Sequence, residues 1–133
     1  MTGEIFALLR DHSILGRLMA PRRVDLKAFD AGLDRACQQN GLLHHIFGVR
    51  TRPLMNELDA ASLPDYLSGI LIGHELASAA IPPPVIVVGE PDLGALYLRA
   101  LDRIGIGAEL IESDVATTRG LHALAELRRT VRA

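Results

Sequence analysis

The chain has 133 residues, 49% apolar and 23% charged, which is room for one globular domain and argues against a disordered chain. With 16 acidic against 14 basic side chains the formal charge is -2, so there is no basic field to hold nucleic acid; aromatics at 4% and the absence of Trp argue against a base-stacking surface. One cysteine, Cys37, leaves no internal disulfide framework and no paired-cysteine metal site.

The chain opens Met1-Thr-Gly-Glu. Glu4 precedes any basic residue and the first apolar run breaks at Arg10, so no secretory leader is expected. Ile5, Leu8, Leu9, His12, Leu15, Leu18 and Met19 recur at three- and four-residue spacing. That period predicts a helix over 3–19, with Thr2 as its cap and Pro21 as its stop. A second helix is expected over 25–39, with Leu26, Phe29, Leu33 and Cys37 inward and Asn40-Gly41 at its end. A short helix over 42–47 should then give way to a basic turn from Gly48 to Pro53.

The next helix starts at Ser62, with Pro64 in its first turn, and runs to about Ala80. It is apolar nearly all round, which predicts burial on most sides. Ser68, Gly69 and Gly73 lack bulk. A glycine costs about 1 kcal/mol in a helix interior relative to alanine, so another backbone or a ligand must come close to offset it. The longest apolar stretch, 67–81, carries His74 and Glu75 and is too short to span a bilayer. The expectation is a cytoplasmic protein with no membrane partner.

Pro82 to Pro84 break the helical pattern, and Val85-Ile-Val-Val-Gly89 follows, a β-branched run ended by glycine. It reads as a buried parallel strand. A helix is expected over 92–104, a second strand over 107–112, and a last helix capped by Asp114 and reaching Arg129. Strand, helix, strand makes one βαβ unit. Two strands are too few for a stable sheet, and the first 80 residues offer no others. Either another segment completes the sheet or the chain is a piece of something larger.

The strand exit, Gly89-Glu-Pro-Asp-Leu-Gly94, is the first candidate site, because ligands of open α/β sheets sit beyond the carboxyl ends of strands. It carries no GxGxxG and no P-loop, and Glu90 and Asp92 would repel phosphate, so adenosine suits it better. A plain strand-to-helix turn is the alternative. Arg50 and Arg52 after Gly48 are candidates for an anionic substrate or phosphate; a solvated loop is theirs. Adjacent His44 and His45 diverge by about 100° on a helix and cannot clamp one metal, so one core and one surface histidine is expected. His74-Glu75 reads as a polar stripe at a helix seam. His12-Ser13 has no third partner for a hydrolase triad, and no spacing of ligands points to a metal.

Several segments together resemble the 2-dehydro-3-deoxygalactonokinase family: Met1-Thr-Gly-Glu-Ile-Phe-Ala-Leu-Leu, His12-Ser-Ile-Leu, Leu43-His-His-Ile-Phe-Gly-Val-Arg-Thr-Arg52, Asp65-Tyr-Leu-Ser-Gly-Ile-Leu-Ile-Gly-His-Glu75, and Val85-Ile-Val-Val-Gly89 with Leu93, Tyr97 and Ala100-Leu. The resemblance covers nearly the whole chain. It implies an ATP-dependent sugar-acid kinase acting on the 6-hydroxyl of 2-dehydro-3-deoxy-D-galactonate, with Mg²⁺ bridging the phosphates. It implies a two-lobed fold similar to the sugar kinase, heat-shock ATPase and actin group. Members are about twice this length and carry the Met-Thr-Gly-Glu segment well inside, so residues 1–133 are expected as one domain, the later part of the second lobe. That is a helix-rich α/β architecture with a short parallel βαβ unit.

The same resemblance puts Gly89, Glu90, Asp92 and Leu93, with Ser68 and Gly69 from the preceding helix, on the adenosine side of the cleft. No catalytic base is assignable. The chain is expected to be inactive alone, with a separate chain supplying the missing lobe or self-association covering the sheet edge.

Overall fold

The structure is a computed structural model that describes residues 1–131, with side chains through Arg129. The single domain expected from length resolves into two compact units, 1–80 and 81–133, that meet at the proline run.

The first unit is all helix: α1 (Thr2–His12), a single 3₁₀ turn (Gly16–Leu18), α2 (Leu26–Ala36), α3 (Leu42–Leu54) and α4 (Leu63–Ser78). The predicted 3–19 helix stops early. Ser13 turns its hydroxyl back to the Leu9 carbonyl at 2.5 Å, and its backbone is already extended. Thr2 is the first helical residue rather than the cap; its hydroxyl donates to Glu75 on α4 at 2.8 Å. Asp25 does cap α2, accepting from the backbone N–H groups of Lys27 and Ala28. That helix ends three residues before the expected limit, which leaves Cys37 exposed rather than inward, and Leu26 is exposed as well.

Helix α3 corrects the expected basic turn. It runs straight through Gly48 to Pro53. Proline in the last turn forfeits one backbone bond, and the burial of Val49 on the seam with α4 outweighs that loss.

Helix α4 is the axis of this unit. Leu63, Tyr66, Leu67, Ile70 and Leu71 form the core with Leu15, Ala28 and Val49, and Ile5, Phe6 and Leu9 of α1 close over it. Helices α2 and α4 approach to backbone distance. A β-carbon on Gly69 would run into the carbonyl oxygen of Phe29, and one on Gly32 into that of Tyr66. Farther along, Gly73 faces the β-carbon of Ala36. The partner that offsets the glycine cost is therefore another backbone.

A reciprocal set of bonds fastens the starts of α2 and α4. The buried Asp65 accepts from the Asp25 backbone N–H at 2.8 Å and from Arg22 at 2.6 and 2.9 Å, while Ser62 donates to Asp25 at 2.7 Å. The Ser62 bond, more than the backbone bonds, holds the Asp25 carboxyl below the usual carboxylate range.

The second unit holds β1 (Val85–Gly89), α5 (Pro91–Arg103), β2 (Ala108–Glu112) and α6 (Ser113–Val131). The two strands pair in parallel, from Val85 opposite Ala108 to Gly89 opposite Glu112. Val85, Val87 and Leu110 share the face that α5 covers, where Gly94 leaves room for the Leu110 side chain. The opposite face corrects the expectation of a strand buried on both sides: Ile86 and Val88 are each 56% exposed. Two strands and one crossover helix cover a single face. Helix α6 carries Leu121, Leu124 and Leu127 as a second exposed apolar stripe.

Candidate functional site

Two places combine the expected residue types with suitable geometry, one in each unit.

In the second unit, β1 ends at Gly89 and α5 begins two residues later with Pro91 at its first position. A β-carbon built on Gly89 would meet no atom within 4 Å, so the bend is open rather than plugged by its own side chains. Glu90, Asp92 and Leu93 are all exposed around it. The Ser113 hydroxyl donates to Glu90 at 2.6 Å and fixes that carboxylate beside the ends of both strands. Two carboxylates at this turn accept hydrogen bonds and repel phosphate. The donor set fits ribose hydroxyls and a flat base over the glycine, and does not fit a triphosphate.

In the first unit, the α3–α4 seam carries a line of polar groups. His45, Gly48, Val49 and Arg52 recur at helical spacing on the α3 face that meets α4. His45 is fully buried; its Nδ1 lies 2.8 Å from His74 Nε2, and its Nε2 lies 3.3 Å from the Gln39 carbonyl. A carbonyl only accepts, so His45 Nε2 carries the proton and Nδ1 accepts from His74 Nε2–H, a tautomer assigned from the partners. Burial, then the neighbouring His45, lowers the affinity of His74 for a second proton. His44 is exposed and bonds Arg35 at 3.1 Å.

Next along the seam, the Arg52 guanidinium stacks over the Tyr66 ring at 4.9 Å, and Arg52 also faces Glu57 at 3.9 Å. The Tyr66 hydroxyl is buried and has no hydrogen-bond partner among the described residues. Gly48 lies against it: a β-carbon there would sit 3.5 Å from the hydroxyl oxygen.

The expected site residues are thus distributed unevenly. Gly89, Glu90, Asp92 and Leu93 share one turn. Ser68 and Gly69 lie on α4 in the other unit, and Gly69 is fully occupied by its contact with α2. Arg50 and Arg52 are two residues apart on a helix and so diverge, with Arg52 on the α4 seam. Sequence reasoning missed Tyr66, the His45–His74 pair and the Arg22–Asp65 pair, all of them contacts between residues at least 18 apart; only the apolar surroundings of Tyr66 and His74 hinted at burial. A cavity of about 490 Å³ in the first unit, lined by Phe6, Arg10, Met19, Arg22 and Pro64 among others, includes none of the expected site residues. Among the described residues no three His, Cys, Asp or Glu side chains come together as a metal site, and no helix is long and apolar enough to cross a membrane.

A strand exit opening onto a helix start is the ligand-binding frame of α/β proteins, and comparison with known proteins narrows the class to sugar-acid kinases. The family described as 2-keto-3-deoxy-galactonokinase matches residues 1–124, so the chain belongs to that family. The 2-dehydro-3-deoxygalactonokinase of Escherichia coli (strain K12) is 32% identical over 129 residues, covering 94% of this chain and 44% of that protein. A candidate 2-dehydro-3-deoxygalactonokinase of Rhizobium meliloti (strain 1021), DgoK1, is 33% identical over 133 residues with the same coverage. A crystal structure of a candidate 2-dehydro-3-deoxygalactonokinase from Sinorhizobium meliloti superposes with a TM-score of 0.82 at 31% identity, covering 96% of this chain and 45% of that one. The chain therefore spans somewhat less than half the length of the relatives it matches.

Proposed function

We propose that these residues form the nucleotide side of a two-lobed sugar-acid kinase of the actin-like ATPase group, which transfers a phosphoryl group from ATP to the 6-hydroxyl of 2-dehydro-3-deoxy-D-galactonate. The observation that carries the reading is the family match over residues 1–124. The open turn at Gly89 supports it, with Glu90, Asp92 and Leu93 as the adenosine contacts. Arg52 is the proposed contact for an anionic group of substrate or phosphate; Arg50 points elsewhere. ATP supplies the transferred group, and Mg²⁺ rides on its phosphates. Catalysis of this kind is positioning and charge neutralisation, and no base for the sugar hydroxyl is assigned in these residues.

A coupled assay for ADP with the keto-deoxy acid and Mg·ATP tests the reading. These 133 residues should bind ATP and give no turnover unless a second polypeptide supplies the other lobe. Turnover at ordinary kinase rates, about 1–100 s⁻¹, from this chain by itself would contradict the division of labour.

A second reading, a non-catalytic module that associates with itself, is favoured by the uncovered sheet face at Ile86 and Val88 and the leucine stripe of α6. Sedimentation velocity separates the two: a monomer at high concentration that binds ATP favours the kinase part, and a dimer that ignores ATP favours the module.

A further inference from the structure

We propose that the notch formed by Gly48, Arg52 and Tyr66 on the α3–α4 seam is a binding site for one small oxyanion group, a carboxylate or a phosphate. The Tyr66 hydroxyl is the starting point. It is fully buried and unpartnered among the described residues, and buried polar groups are as a rule satisfied by protein, water or ligand. Burial keeps the phenol protonated, so it has a hydrogen to give.

The surroundings choose the partner. The Arg52 guanidinium lies over the ring, and the charge of Arg35 on α2 also reaches the hydroxyl; Glu57 is the opposing carboxylate and holds Arg52 only at 3.9 Å. Two cations against one distant anion favour an acceptor that carries negative charge. Gly48 supplies the space, since no side chain stands between α3 and the hydroxyl. Arg52, about one-third exposed, links the notch to solvent: rotation of its side chain lets an oxyanion exchange Glu57 for a fork of guanidinium N–H groups and the Tyr66 O–H.

The inference shares Arg52 with the kinase reading but requires neither nucleotide nor turnover. The test is a titration of the ¹⁵N-labelled chain with inorganic phosphate, with pyruvate as a 2-oxo carboxylate and with chloride as control, following the Arg52 and Gly48 signals. Saturable shifts with phosphate, pyruvate or both, absent with chloride, are expected, and the stronger of the two anions identifies the source. Gly48→Ala fills the notch at ordinary contact distance, and Tyr66→Phe removes the donor. Each should weaken binding by about tenfold, the value of one hydrogen bond to a charged group. No saturable shift with either anion, or equal binding by both folded variants, would overturn the site and leave the hydroxyl to a buried water. ATP binding at Gly89 without anion binding at Arg52 would sink this inference alone; the reverse would sink the nucleotide assignment alone.

Discussion

Gly48 and Gly69 are both helical glycines, yet alanine should act in opposite directions at the two. At Gly69 the new β-carbon collides with the Phe29 carbonyl, and backbone cannot yield cheaply. Gly69→Ala should destabilise by about 1–3 kcal/mol or more, as overpacking does. At Gly48 the nearest atom is 3.5 Å away, so Gly48→Ala should be neutral or gain up to about 1 kcal/mol from helix propensity. Urea unfolding followed by circular dichroism separates the two. The His45–His74 pair adds a pH dependence. The folded protein holds His74 below its ordinary value of 6.5. Below pH 6.5 the unfolded chain therefore takes the proton more readily than the folded one. Stability should be complete above about that pH and decline as the pH falls toward the folded value. His74→Gln should flatten the decline, measured as the urea midpoint across pH 5 to 8.

Among the elements, the pairing of α2 with α4 was half legible. The small residues Gly69 and Gly73 in an otherwise bulky helix announced a close approach, but local sequence could not say whether backbone or ligand made it; Gly32 and Ala36, far off in the chain, hold the answer. The cap at Asp25 could be read because Asp before a helix has a local cause. Its partner Asp65 could not, since that carboxylate works through Arg22 and the Asp25 N–H, some 40 residues away. Asp65→Ala orphans both, and the loss should be about 1–3 kcal/mol with the folded helix content retained. The path of α3 through Pro53 was misread for a related reason. Glycine and proline signals are local, while the burial of Val49 and His45 against α4 is tertiary and outweighs them.

At the scale of the whole molecule, both strands and the crossover helix fell within a residue or two of expectation, because a β-branched run between a proline cluster and a glycine has few other readings. The shortage of strands was equally visible, and the exposed Ile86 and Val88 are its structural consequence. The nucleotide turn was legible as a location, since topology puts ligands at strand exits, but its chemistry rests on the family match and on the openness at Gly89. What most directly tests the account is a titration of the ¹⁵N-labelled chain with Mg·ATP. The account predicts saturable shifts centred on Gly89, Glu90, Asp92 and Leu93, reproduced by adenosine. Saturable shifts confined to the first unit, or none at all, would contradict it.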